Sequence, residues 1–522
     1  MRVCARVCRN FSGFFVSDCG GIDDAAHEAF RPASEVALKA VRAGTDMECT
    51  DDWPGDYARH LPAAVVSGAL DEHVIDTALS RVLRVLMELG ELDAEVPWRR
   101  LGPEVVGSKE HVELARLAAE ESIVLLQNNA TALACMWHDD RTAGQLSDGK
   151  DRSRGDGEPC IKPVLPLPTD RQLKVAIVGP MGKATVDLLG EIDYVVPASP
   201  QVQGRSLVDV FQSDSAVTRV TYSEGCSLRD NCNDTSAIPD AVDAVRDADV
   251  VVFVVGLLSC DRAGRRASEC ESEGHDRSGV GLPGSTGQLV EAVSAAAPQA
   301  ARIALLVHGG ALAIEPLIAN CHAILDAHHP GEVGALAVVD ALFGRLNPSA
   351  RLPYTVYPVD FTTHSRPSMT DVRLRGGPST DSLPPSDGVT YWYYRGSPLF
   401  AFGHGLSYTT FTFAWAADAN SSQVDAVRKV TVTNVAGPPG STVVLGFVSA
   451  SHLPMFPLLR LFDFARTPVV SPGESVAVPL QTSWRSFALT DASGATDITP
   501  GRFELATGDP GPEMARVGVD LR

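Results

Sequence analysis

Apolar residues fall along this chain in three arrangements, and each predicts a different architecture. Between residues 173 and 331 they form short unbroken runs: KVAIVGP (Lys174 to Pro180), ADVVVFVVGL (Ala248 to Leu257), RIALLVHGG (Arg302 to Gly310) and AILDAHHPG (Ala323 to Gly331). Unbroken apolarity marks strands covered on both faces, and helical stretches such as 285–297 lie between the runs. The pattern therefore predicts a mostly parallel α/β sheet within 165–360. From about 425 onward apolar and polar residues alternate, as in Lys429 to Val435, Ser441 to Ala450, Glu474 to Gln481 and Arg502 to Gly508. Strands of this length, separated by turns at Gly437 to Gly440, Pro472-Gly473 and Pro500-Gly501, predict a β-sandwich over 425–522.

The first hundred residues show the third arrangement, in which strand and helix periods follow one another. Phe14, Phe15 and Val16 favour a strand that is stopped by Gly20-Gly21, which puts Asp18 at its carboxyl end. Val36, Ala37, Ala40 and Val41 then recur at helical spacing before Gly44, and Thr45 to Cys49 reads as a second strand end. Asp71 is a good N-cap for a helix whose apolar face is Val74, Ile75, Ala78, Leu79, Val82, Leu83 and Leu86, closed by Gly90. A further helix over 108–122 leads into a strand from Ile123 to Gln127. The polar, Gly- and Asp-rich stretch at about 137–160 reads as a solvated loop.

In parallel α/β folds chemistry gathers beyond the carboxyl ends of the strands, which singles out Asp18, although an acid in such a turn also caps its own backbone. The chain has 522 residues, too many for one core. It carries 65 acidic against 44 basic residues, a net charge of −21. That balance argues against nucleic acid or an anionic membrane as a partner. No stretch approaches the roughly 20 apolar residues that cross a bilayer, and Met1 to Asn10 lacks the apolar core of a signal peptide. Val178-Gly179-Pro180-Met181 lacks the paired glycines of a dinucleotide site, so no cofactor is expected. No cluster of His and acids stands at metal-ligand spacing, so no metal is expected either. Cys226 and Cys232 are spaced for a local disulfide, and Asn10, Asn129, Asn233 and Asn420 each open an Asn-X-Ser/Thr sequon.

GFFVSDCGG (Gly13 to Gly21) followed by AGTDMEC (Ala43 to Cys49) resembles the nucleophile region of glycoside hydrolase family 3. The likeness is to the branch of β-xylosidases and α-L-arabinofuranosidases, in which Cys follows the nucleophile. It implies that Asp18 is the nucleophile of a retaining glycosidase, that Cys19 and Met47 contact the substrate, and that Cys19 and Cys49 can bridge neighbouring strand ends. Such an enzyme needs a second carboxyl group as proton donor. The loop SECESEGHDRSGVGLPG (Ser268 to Gly284) resembles the family's Glu-Gly-X-Asp-Arg loop and implies Glu273 as general acid/base. Glu271 is the alternative under a two-residue shift, and Asp276 and Arg277 pair to brace the loop. His329 to Pro358 and FAFGHGLSYTTF (Phe400 to Phe411) are similar to two further segments of the family, with His404 and Tyr408 in structural roles.

The resemblance implies an α/β multidomain fold. It comprises the C-terminal part of a (β/α)8 TIM-type barrel over 1–100, a linker with a connecting helix and strand over 101–164, and an α/β sandwich domain over 165–360. A connecting segment over 361–424 and a fibronectin type III-like β-sandwich over 425–522 complete it. Only late barrel strands are legible, so the chain reads as N-terminally truncated and is expected by itself to show little turnover. Gln127 stands where the family usually has Lys, and Gly20 where this branch usually has a second Asp. The implied activity is retaining hydrolysis of terminal non-reducing β-glycosidic bonds in xylo- or arabino-oligosaccharides or aryl glycosides, in an extracellular or cell-wall setting. The alternatives are a β-glucosidase of the same family, or an inactive remnant that binds carbohydrate or a protein partner.

Overall fold

The computed structural model describes residues 11–28, 31–50, 53–93, 95–131, 162–185, 187–190, 204–260, 269–271, 277–365, 368, 371–491 and 493–521. It divides into two units, Met1–Val105 and Val106–Arg522.

In the first unit, strands β1 (Val16–Cys19) and β2 (Met47–Cys49) pair in parallel, with Val16 opposite Met47 and Cys19 opposite Cys49. Between them lie helices α1 (Gly21–Glu28) and α2 (Ala33–Arg42). Ala37 and Val41 of α2 pack with Ile22, Leu61 and Leu70 in a small core. Helix α3 (Asp56–Val66) has no counterpart in the pattern analysis. Its N-cap residue Gly55 makes no side-chain cap, and the carboxylate of Glu48 substitutes by accepting from the amides of Asp56 (3.0 Å) and Tyr57 (2.7 Å). Helix α4 (Glu72–Glu88) begins as expected, with the Asp71 side chain accepting from the His73 amide. Of its apolar face Ala78 is buried, while Leu79, Leu83 and Leu86 remain exposed.

In the second unit, helix α5 (Lys109–Ser122), capped by Ser108, leads into strand β3 (Val124–Asn128). Strands β4 (Leu173–Val178), β5 (Val217–Ser223), β6 (Val250–Gly256), β7 (Ala301–Val307) and β8 (Ala323–Asp326) join it in one six-stranded sheet. The order is β3-β8-β7-β6-β4-β5, parallel throughout except for the β3–β8 pair. Every residue of β6 is buried, as its unbroken apolar run requires. The sheet core is sealed on both sides by helices that include Thr286–Ala296 and Gly334–Leu342.

Beyond residue 409 the alternating segments form two antiparallel sheets. One has three strands, β9 (Thr410–Trp415), β10 (Ala426–Ala436) and β13 (Ser475–Thr482). The other has four, in the order β12 (Arg460–Arg466), β11 (Val443–Ser449), β14 (Gly501–Thr507) and β15 (Ala515–Leu521). Val430, Val432, Val444, Val478 and Leu480 meet between the sheets, so alternation along each strand divides core from solvent. Among the described residues three disulfides close: Cys19–Cys49, Cys226–Cys232, and a Cys260–Cys270 bridge that spacing alone does not suggest. Cys321 is a buried free thiol whose pKa burial pushes up to about 12, which leaves it unreactive at neutral pH.

The fully covered sheet sets a mutational expectation. Leu305 in β7 is 1% exposed, so Leu305→Ala removes packed atoms and leaves a cavity. A loss of ~2–5 kcal/mol is expected, read as a lower urea midpoint for the transition of this unit at unchanged slope.

Candidate active site

Asp18 stands exposed at the carboxyl end of β1, where its Oδ1 accepts from the Cys19 amide at 3.0 Å. Its strand is braced from several directions. The Cys19–Cys49 disulfide joins the two strand ends, and the Cys49 amide donates to Ser17 Oγ at 2.9 Å. Below them Asp46 is buried. It accepts from the Phe15 amide (2.9 Å) and forms an ion pair with Arg81 of α4 (2.8 Å). Met47, opposite Val16, is 39% exposed. Asp18 and Cys19 thus lie at the carboxyl end of the strand pair, where Gly20, at φ +71°, turns the chain into α1, whereas Met47 stands at its amino end opposite Val16.

The second unit gathers its polar groups where β6, β7 and β8 leave the sheet. The backbone of Glu271 is tied to the extension of β6, with its amide donating to Leu258 O and its carbonyl accepting from the Cys260 amide. Its carboxylate accepts three hydrogen bonds: from Gly309 N (2.8 Å), Gly310 N (2.5 Å) and His329 Nε2 (2.7 Å). Burial raises its pKa, but the His329 hydrogen bond and the Gly310 and Gly309 amides outweigh that and hold the carboxyl below the usual glutamate range. Glu273 and Asp276 lie outside the described residues. Among the described residues Arg277 braces the loop through Glu269 (3.0 Å), Gly281 O (2.5 Å) and Ala311 O (3.1 Å), and its pairing with Asp276 lies outside them.

Next to Glu271 is a group that corrects the expectation that His and acids make no cluster at metal-ligand spacing. His308, Asp326 and His328 bring one potential ligand atom each to within 4.8 Å of one another. They come from the ends of β7 and β8, which are neighbours in the sheet and distant in the chain. Linear spacing therefore carries no signal for them. Asp326 is fully buried and accepts from Tyr354 OH at 2.6 Å. Burial works to raise its pKa, but His308 and the other neighbours bring it down to about 2. Burial works to lower that of His308, and Asp326 reverses the effect and raises it. Beside Gly309 and Gly310 opens a cavity of about 480 Å³ walled by Tyr354, Tyr357, Tyr391 and Phe402.

His404 and Tyr408 bond to backbone. His404 Nε2 lies 2.8 Å from Leu126 O and Tyr408 OH donates to Ala341 O at 2.6 Å, which ties the segment before the sandwich to β3 and to the helix at 334–342. Gln127 donates to Cys321 O at 2.7 Å.

Residues 161–408 match the family described as the glycosyl hydrolase family 3 C-terminal domain. A protein of Aspergillus terreus named "Probable exo-1,4-beta-xylosidase bxlB" is 28% identical over 94% of this chain and 57% of its own length. "Beta-D-xylosidase 1" of Arabidopsis thaliana is 31% identical over 78% of this chain and 45% of its own. The chain thus spans about half the length of the curated relatives it matches. Among solved structures, a family 3 exo-β-xylosidase in complex with a xylobiose aziridine probe superposes with a TM-score of 0.79. The match has 24% identity and covers 98% of this chain and 61% of that one. The β-glucosidase EmGH1 of Erythrobacter marinus follows with a TM-score of 0.75 and 27% identity, over 99% of this chain and 64% of that one.

The anchoring of Glu271 is open to a direct measurement. Glu271→Ala leaves the Gly309 and Gly310 amides without an acceptor, which costs about 1–3 kcal/mol for each donor that stays buried. Faster amide exchange at those two positions is expected in the variant. In the native protein the folded pKa lies below the ordinary 4.5, so the anchor is at full strength above pH 4.5 and is lost as pH falls through the folded value. Protection of Gly309 and Gly310, normalised to intrinsic exchange, should follow that course.

Proposed function

Because residues 161–408 match the glycosyl hydrolase family 3 C-terminal domain, we propose that the chain belongs to glycoside hydrolase family 3 and contributes both catalytic carboxyl groups to an exo-acting hydrolase. The reaction removes terminal non-reducing β-xylosyl or arabinosyl units by retaining double displacement. The observation that carries this reading is Asp18, a carboxylate exposed at a strand end whose backbone is stapled by a disulfide and a buried ion pair. Asp18 attacks the anomeric carbon, and Glu273 protonates the leaving oxygen and later activates water. Cys19, next to Asp18, and the exposed Met47 contact the sugar in the −1 position. Double displacement needs two carboxyl groups and no cofactor.

Of the two glutamates considered for the acid/base role, Glu271 is the anchor. Its carboxylate already accepts from three donors and is held ionised, so it has no proton to deliver near neutral pH. Glu273, two residues on, is left as the acid/base. We read the first unit as late strands of a (β/α)8 barrel and the double-sheet region as fibronectin type III-like. Three disulfides, together with exposed sequon residues Asn129, Asn233 and Asn420, support an oxidising, extracellular setting. The Erythrobacter relative keeps a β-glucosidase as the second reading.

Three results test the assignment. In a protein extended by the earlier barrel strands, aryl β-xylosides or α-arabinofuranosides are hydrolysed with net retention by NMR, and at higher kcat/KM than the aryl β-glucoside; inversion of the anomeric centre refutes the mechanism. Asp18→Ala loses ~10⁴-fold or more in kcat on every substrate. Glu273→Ala still forms the glycosyl-enzyme from activated aryl glycosides, stalls at deglycosylation, and is rescued by azide, whereas Glu271→Ala is not. Rescue of Glu271→Ala alone reverses the two roles.

A further inference from the structure

We propose that His308, Asp326 and His328 form a binding site for one zinc-class divalent cation, buried beneath the turn that anchors Glu271. The site is distinct from the two catalytic carboxyl groups and does not depend on the glycosidase reading.

The sheet register brings the three residues together. Asp326 of β8 lies opposite Leu306 of β7, so two residues further along each strand His328 and His308 come side by side, joined by a backbone hydrogen bond from His308 N to His328 O. All three side chains therefore converge at one strand end. The His308 ring is 3% exposed and its Nδ1 lies 2.7 Å from Gly310 O. A carbonyl only accepts, so Nδ1 carries a proton, and in the neutral ring that leaves the Nε2 lone pair directed at Asp326. That Nε2 has no hydrogen-bond partner and stands 3.4 Å from Asp326 Oδ1. His328 Nδ1 approaches the same oxygen at 3.2 Å. Two imidazole nitrogens thus face one buried carboxylate oxygen, an arrangement that a cation held between them would satisfy.

The spacing suits a metal ion. With metal–nitrogen and metal–oxygen bonds of about 2.0–2.2 Å, two ligands on a tetrahedral ion stand roughly 3.3–3.6 Å apart, close to the two distances observed. The third separation lies within 4.8 Å, so a closing of at most about 1.5 Å by one ring completes the set. The supporting bonds are those that metal sites use. His308 gives its other N–H to a backbone carbonyl, and the free oxygen of Asp326 accepts from Tyr354 OH. His328 holds a left-handed backbone at φ +52°, a strained conformation for a side-chain-bearing residue, while its amide also donates to Asp326 Oδ1 at 3.0 Å. Its side chain is 26% exposed and provides the entry path that a buried ion requires, with water as the fourth ligand. Two imidazoles and one carboxylate suit zinc or cobalt rather than calcium or magnesium, which prefer oxygen donors alone. With His308 and Asp326 buried, the ion is structural. It fixes the strand ends that present Gly309, Gly310 and His329 to Glu271.

The competing account is a proton, with an imidazolium on His308 paired to Asp326. To decide between them, the full protein is stripped with a chelator, dialysed and titrated with Co2+. The metal site predicts one equivalent bound with visible d–d absorption of tetrahedral intensity, displaced by Zn2+, and a Zn2+-dependent rise in Tm. His328→Ala alters the most exposed ligand and is checked for native circular dichroism. It should weaken Co2+ binding at least 10-fold and abolish the Zn2+-dependent rise. Absence of the Co2+ band and of any Tm rise in the wild type leaves the cluster to a proton and overturns the proposal. So does a band or Tm rise that His328→Ala leaves unchanged.

Discussion

A strand covered on both faces cannot carry a polar side chain until it leaves the sheet, and this constraint organises the larger unit. Along β6 every residue is buried, and β7 and β8 are nearly as closed. Unpaired polar groups inside would each cost several kcal/mol, so they are displaced to the strand ends. Glu271, His308, Asp326, His328 and His329 accumulate there within a few ångströms of one another. The crowding makes their hydrogen bonds interdependent. The Gly309-Gly310 turn gives its amides to Glu271 while the Gly310 carbonyl orients His308, and the adjacent His328 and His329 serve Asp326 and Glu271 respectively.

What could be read from the chain follows from how local each cause is. Unbroken and alternating apolar runs are properties of single strands, so the parallel sheet and the sandwich were legible, as was α4 with its cap at Asp71. Helix α3 was not, because its amides are capped by Glu48 rather than by a residue at its own start. The histidine cluster was hidden for a related reason: positions 308 and 326 meet only through the register of β7 on β8. Between Glu271 and Glu273 the letters of the loop leave a choice of two, and the three donors around Glu271 bear on that choice in a way no motif can. The disulfides divide likewise, since Cys226–Cys232 is visible in its spacing, whereas Cys260–Cys270 brackets the acidic loop and needs the fold to be seen.

The carboxylates of Asp18 and Glu271 are handled by opposite means. Asp18 meets solvent, and the rigidity around it comes from its neighbours: a buried Asp46–Arg81 pair below and a covalent link beside it. Glu271 is itself the rigid part, enclosed by donors that keep it charged. The role proposed for Asp18 requires an open face, and holding a loop in place requires a closed one.

The bridge from Cys19 to Cys49 closes a loop with a sequence separation of 30, and that loop contains both helices between the strands. The strands it joins are only four and three residues long, too short for their ladder to hold alone. Restricting the unfolded chain in this way contributes about 3–4 kcal/mol. The alignment of Asp18 with its neighbours is thereby stored in a redox bond. The geometry of that strand end is inherited from the thiol chemistry of the compartment where the chain matures, and a reductant could erase it without altering a single residue.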